Sequence, residues 1–224
     1  MHPFGGRLRI RDMIMRRTFW WVAIAQAALA LLQATMPATA AADTAGSTQQ
    51  VVLAGGCFWG MEAVFESLKG VTNVVAGYSG GSKQTAHYDR VSTGDTDHAE
   101  SVQVTFDPSE ITFGQILSVY FLVAHDPTEL NRQGPDEGTQ YRSAIFYETD
   151  AQKRAAETYI KDLQDAKTFA APIVTKIVPF HAFYPAEAYH QHFVQHNPDY
   201  PYVVFNDLPK LKHLRDQFPQ LVKK

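Results

Sequence analysis

Apolar positions along this chain switch between two periods. In AESVQVTF (Ala99 to Phe106) they alternate. Val102, Val104 and Phe106 fall on one side and Ser101, Gln103 and Thr105 on the other, which predicts a strand with one buried face. After Gly55-Gly56 the period lengthens. Met61, Val64, Phe65 and Leu68 stand at i, i+3, i+4 and i+7, one face of a helix, and Gly70 sits where a helix stops. Phe113, Ile116, Leu117, Tyr120, Phe121 and Ala124 mark a second helix. Thr149 with Gln152 forms a capping-box start for a third, running to about Ala166.

Further strands are predicted at Gln50 to Ala54, Val71 to Tyr78, Arg142 to Glu148 and Ile173 to Val178. A loop rich in Gly, Ser and Thr follows Tyr78, and another runs from His125 to Gln140. The remainder reads as irregular, with short helices near Ala186 to Val194 and Pro209 to Phe218. The opening order is thus β-α-β-β-α-β. It predicts the α+β class: a two-layer α/β sandwich with a split-βαβ, ferredoxin-like core and a long irregular C-terminal segment.

The first 42 residues have a different character. Arg16-Arg17 precedes Phe19 to Leu32, an apolar run broken only by Gln26, and Ala38-Thr39-Ala40 fits a small-x-small cleavage site. The run is short for the roughly 20 apolar residues of a membrane span. Residues 1–42 are therefore read as a signal peptide, with an uncleaved anchor as the alternative, 43–49 as a linker and 50–224 as a single catalytic domain. Translation from Met13 or Met15 would give a normal short basic leader. The implied location is exported, in the periplasm.

Composition narrows the function. The 224 residues are 45% apolar and 19% charged, ordinary for a globular domain. The leader holds five of the 20 basic residues and one of the 23 acidic ones, so the body carries 15 against 22, a formal charge of −7. Such a body is a poor binder of nucleic acid or anionic membranes.

The chain has one cysteine, Cys57. In an oxidising compartment an odd cysteine suggests an intermolecular pair or a reactive free thiol, against the alternative of an inert core residue. Its place between a buried strand and a helix start favours the reactive reading. Outward-pointing N–H groups and the positive end of the helix dipole there favour a thiolate. Of the aromatic pair behind it, Phe58 lies near the apolar stripe and Trp59 off it, so Trp59 suggests a wall for a small apolar group. Glu62 is ambiguous, since a first-turn acid stabilises a helix anyway. Glu100 is in phase with the apolar face of its strand. Desolvation there would raise its pKa and make it a proton donor, unless the strand end frays into water. Tyr78, Tyr88, Asp126, Asp136 and Tyr141 add phenols and acids in loops.

The segments GGCFWGMEAVF, HYDRVSTGDTDHAESVQVTFDP, AHDPTELNRQGPDEGTQYRSAI and PAEAYHQ resemble the A-type peptide methionine sulfoxide reductases, over about Val51 to Asn206. The resemblance implies a reaction and roles. Cys57 would attack the sulfur of methionine-S-sulfoxide, free or in oxidised proteins, and become a sulfenic acid. Glu100 would protonate the oxygen, Tyr88 and Tyr141 would hydrogen-bond it, and Asp136 would organise the site. Phe58 and Trp59 would cradle the methyl group, with Tyr189 a weaker binding candidate. No cofactor or metal is implied, and the unit is expected to be a monomer. Many members resolve the sulfenic acid with further C-terminal cysteines. Here NPDYPYVVFNDLPKLKHLRDQFPQLVKK has none. An external reductant is therefore expected, either a thioredoxin- or glutaredoxin-like protein or a small-molecule thiol.

Three other readings compete. A metal hydrolase would use His190, His192 and His196, but no neighbouring acidic motif accompanies them. A one-cysteine thiol peroxidase would want a cation beside the thiolate, and no Arg or Lys is near Cys57 in sequence. A non-enzymatic binding module would carry an inert Cys57.

Overall fold

A computed structural model of the chain describes residues 48–224. The leader in 1–42, its start methionine and most of the linker lie outside the described residues. Among the described residues no helix is long and apolar enough to cross a membrane.

Strand β1 (Gln49–Ala54) runs through the middle of a six-stranded sheet. It pairs antiparallel with β3 (Ala99–Phe106) on one side and β6 (Ala144–Tyr147) on the other. Strand β2 (Val71–Ser79) flanks β3, so the strands of the opening β-α-β-β-α-β order lie as β6-β1-β3-β2. The sheet extends beyond that unit. Strand β7 (Lys176–Pro179) adds in parallel to β6, and β8 (Phe183–Pro185) adds antiparallel to β2. A two-stranded hairpin, β4 (Arg132–Gln133) with β5 (Asp136–Glu137), stands apart inside the predicted second loop.

Helix α1 (Phe58–Glu66) follows β1 directly. Helix α2 (Phe113–Val119) opens with a full capping box between Thr112 and Gln115 and continues as a wider turn over Tyr120–Ala124. Helix α3 (Asp150–Asp165) starts at Thr149, whose hydroxyl accepts the Gln152 N–H. The Gln152 side chain reaches back one residue further than the predicted box, to the Glu148 N–H. Helix α4 (Leu208–Gln217) closes the chain.

The main core lies between the sheet and the helices. Val51 and Leu53 of β1 meet Phe58, Met61, Val64 and Phe65 of α1, Ile116 and Leu117 of α2, Ala156 of α3 and Leu214 of α4. The opposite side of β1 is also buried. There Val52 and Ala54 join Ala99, Ala144 and Phe146 beneath Val178, Phe180 and Phe183. This second cluster is why β1 reads as a continuous apolar run rather than an alternating one.

Several boundaries differ from the sequence expectation. The predicted strand at Ile173 to Val178 pairs only from Lys176, because Val174 turns its N–H to the Pro127 carbonyl. The strand β8 was not predicted: three residues ending in proline carry no period, and an edge is where a proline is tolerated. The two-residue strands of the β4-β5 hairpin carry no period either.

Candidate active site

Cys57 occupies the N-cap position of α1. The turn before it is forced by crowding. Gly56 has φ +91, and a Cβ there would meet the Gln133 side chain. Phe58, the first helical residue, donates its N–H to Glu100 Oε2 at 3.1 Å. Glu100 stands opposite Tyr78 in the β2–β3 ladder and is only 2% exposed, so the frayed-end reading fails. A helix N-terminus and a strand end thus place a thiol and a carboxyl side by side.

Cys57, Phe58, Trp59, Tyr88, Glu100, Asp136 and Tyr141 line one cleft of about 190 Å³. That is below the roughly 300–1,000 Å³ of drug-sized sites and fits a small group. Tyr200 and Tyr202 complete the lining. Tyr202 donates its hydroxyl to Asp136 Oδ2. Trp59 stacks on Phe193, with ring centroids 3.7 Å apart, and meets Tyr200 and Tyr202 edge-on. Its indole N–H donates to His190 Nδ1 at 3.1 Å. Of the other sequence candidates, Tyr189 lies outside the lining, 61% exposed with its ring on His190. Tyr78 and Asp126 also lie outside it. The Tyr78 hydroxyl donates to Glu187 Oε2, and Asp126 caps its own turn by accepting from Thr128.

Glu187 organises the near edge. It accepts the Tyr88 N–H at 2.9 Å through Oε1 and the Tyr78 hydroxyl at 2.9 Å through Oε2. Burial pushes its carboxyl up, but these two donors outweigh that and hold it below the usual range.

Burial raises the proton affinity of the groups around the cleft. Burial pushes the Glu100 carboxyl up to about 8, with Asp136 adding to it and the Phe58 N–H pulling the other way. Burial and the Glu100 carboxylate push the Tyr88 and Tyr141 phenols up. Burial also raises Asp136, against the pull of the Tyr202 hydroxyl and of Lys210. Asp207 is fully buried, neither of its oxygens has a hydrogen-bond partner among the described residues, and burial lifts its carboxyl to about 6.

Cys57 itself corrects an expectation. The helix start predicts a readily ionised thiol, yet its pKa is raised well above the ordinary value. Burial dominates, and the Glu100 and Asp207 carboxylates add to it. The Trp59 N–H acts in the predicted direction and is outweighed. The reason is one of magnitude: a helix end contributes at most about 2 kcal/mol, and desolvating an anion costs more. The part that Glu100 plays vanishes when Glu100 carries its proton, as it does at neutral pH.

A buried thiol therefore faces one carboxylic acid and two phenols, all protonated. Such a cleft suits a neutral ligand with an acceptor oxygen that gains negative charge as it reacts. Among the described residues no Arg or Lys lines it, which disfavours the peroxidase reading. A larger cleft, of about 640 Å³, is lined by residues such as Asp97, Arg142 and Lys176 and holds none of these groups.

Sequence reasoning missed Tyr200, Tyr202, His190 as a partner of Trp59, and Asp207. The only signal was the aromatic pair around Pro201 in DYPYVVF, which has no period to place it.

Comparison with known proteins points the same way. The family model described as peptide methionine sulfoxide reductase matches residues 49–221. The chain is 56% identical over 177 residues to peptide methionine sulfoxide reductase MsrA 2 of Mesorhizobium japonicum, covering 79% of this chain and 91% of that one. A crystal structure of Mxr1 from Saccharomyces cerevisiae in reduced form aligns with a TM-score of 0.65 at 36% identity, covering 68% of this chain and 87% of that one. Methionine sulfoxide reductase A of Corynebacterium diphtheriae aligns with a TM-score of 0.60 at 34% identity, over 68% and 76%.

Proposed function

The chain belongs to the peptide methionine sulfoxide reductase family, and on that premise we propose how its own residues divide the work. It is a thiol-dependent peptide-methionine (S)-S-oxide reductase. The observation that carries the assignment of roles is the buried, proton-holding Glu100 bonded to the amide next to Cys57.

The Cys57 sulfur attacks the sulfoxide sulfur. Glu100 passes its proton to the sulfoxide oxygen and so makes it a leaving group, an effect worth roughly 10²–10⁴ in rate. Tyr88 and Tyr141 donate hydrogen bonds to the same oxygen, and Asp136, held by Tyr202, orients the floor. Phe58 and Trp59 take the S-methyl group between apolar ring faces. The balance is simple: thiol plus sulfoxide give sulfenic acid plus thioether. The substrate gains two electrons and Cys57 loses them.

Two equivalents of an external thiol then return Cys57 to the thiol, with release of water and a disulfide of the reductant. A lone cysteine supports this reading, since the sequence has no second thiol to close an internal disulfide. A thioredoxin- or glutaredoxin-like protein or a small-molecule thiol would serve. A single chain is the working unit, because one chain supplies every residue of the cleft. Export to the periplasm belongs to the same proposal and rests on the pattern of residues 1–42 alone.

The test is a single turnover without reductant. Equimolar methionine-S-sulfoxide should release one methionine per chain and leave one dimedone-reactive sulfenic acid at Cys57, with no internal disulfide by mass spectrometry. Full turnover by a Cys57→Ser variant would sink the mechanism.

A further inference from the structure

Farther along α1, one and two turns beyond Phe58, lies a second cluster. Glu62 and Glu66 stand one turn apart, so their side chains share a face. His192 comes onto that face from the segment after Glu187. Its Nδ1 is 2.6 Å from Glu66 Oε1, and its backbone N–H donates to Glu62 Oε2 at 2.8 Å. One ligand atom from each of the three residues falls within 4.8 Å of the other two.

The satisfaction of these groups is uneven. Glu66 Oε2 takes the Gln195 amide at 3.0 Å. The nearby Lys223 ammonium is held by the Glu66 and Val71 carbonyls and supplies no counter-charge to the side chains. Glu62 is 1% exposed and its Oε1 is buried without a partner among the described residues. Nothing in the sulfoxide chemistry uses Glu62, Glu66 or His192. A buried carboxylate oxygen with no donor is costly, and a cation is one way to satisfy it.

We propose that Glu62, Glu66 and His192 bind one divalent transition-metal ion, with zinc the best match, which pins the 187–196 segment to α1. Two carboxylates with one imidazole suit zinc among the first-row ions. Tetrahedral ligands about 2.1 Å from the metal stand roughly 3.4 Å apart. Closing from the present spread is within reach of Glu66 and His192, since His192 is half exposed. The ion replaces the proton between His192 and Glu66 and gives Glu62 Oε1 a partner. Its open side faces a cleft of about 370 Å³ lined by Glu66, His192, Gln195 and Lys223, so a water completes the shell. The role is to hold structure: the pinned segment carries His190, which receives the Trp59 indole N–H.

Zinc titration calorimetry on the purified full chain carrying Cys57→Ser tests this, that substitution removing the competing thiolate. One saturating equivalent is expected. Glu66→Gln and His192→Gln should each weaken it at least about tenfold, with the fold intact by circular dichroism, since His192 is half exposed and glutamine matches Glu66 in shape. Cobalt(II) should give visible d–d bands in the parent and lose them in both variants. The absence of saturable binding, binding that survives both substitutions, or loss in only one of them overturns the site.

Discussion

One wall of the cleft comes from the β1–α1 junction and β3 and a second from the stretch between Glu187 and Asp207, with Tyr88, Asp136 and Tyr141 supplied by other segments. The first is built on paired strands and a helix start, so Cys57 and Glu100 are fixed by backbone hydrogen bonds and by a core packed on both sides. The second is short turns with their own backbone hydrogen bonds, tied to the rest of the site through side chains: Trp59 on His190, Asp136 on Tyr202, Tyr88 on Glu187. Cys57 and Glu100 sit on the first wall together with Phe58 and Trp59, and Tyr200 and Tyr202 enclose the cleft from the second. That division suits an enzyme whose chemistry needs fixed geometry and whose substrate is a side chain on many different proteins.

Substitution of Glu100 gives the largest contrast between the walls. Glu100→Gln keeps the acceptor for the Phe58 N–H and removes the acid. Activity should fall roughly 10²–10⁴-fold. In the parent, kcat/KM should decline as pH rises through about 8, where Glu100 gives up its proton, and the variant should lack that limb. Stability should move the opposite way. The folded carboxyl holds its proton up to about 8 against an ordinary 4.5. Folding therefore loses free energy as pH rises across that window. The variant escapes this, so its melting temperature should match the parent at pH 4 and exceed it at pH 8.5. A loss of stability at both pH values would show Glu100 to be structural.

The second wall should respond less. Tyr202→Phe keeps the ring against Trp59 and removes the hydroxyl from Asp136. About a tenfold loss in kcat/KM is expected, the scale of one hydrogen bond to a charged group. Because the ring packing is kept, the melting temperature should fall by only about 3–6 °C, the stability side of that one bond. An effect as large as that of Glu100→Gln would erase the distinction between the walls.

The two walls also differed in how far the sequence revealed them. Alternation in AESVQVTF placed Glu100 on the buried face, and the strand-to-helix switch placed Cys57 at a helix start. Both are local periods, and local periods survive folding. Tyr202 lies 66 residues from Asp136 and His190 lies 131 from Trp59. Nothing in DYPYVVF or AEAYHQ says which surface they cover, because irregular turns have no period. The same limit hid the acids beside His192, which come from α1. The expected thiolate went wrong for a related reason: the helix end was visible in sequence, but the burial and the two carboxylates that outweigh it were not.

Asp207 sits where the walls meet and should give the smallest effect on turnover. It is fully buried with no hydrogen-bond partner among the described residues, and its carboxylate opposes ionisation of Cys57. Asp207→Asn removes that charge without changing the volume. The Cys57 thiol should then ionise more readily, and iodoacetamide should alkylate it faster at pH 7.5, by a factor of about three to ten on the scale of a neighbouring charge. Stability follows from the same carboxyl. Burial holds its proton up to about 6 against an ordinary 3.8. The parent thus loses stability as pH rises between these values, by at most about 3 kcal/mol. The variant should melt with the parent at pH 4 and above it at pH 7.5. If alkylation is unchanged while stability rises as expected, Asp207 belongs to the packing of the second wall alone, and the thiol answers only to the first.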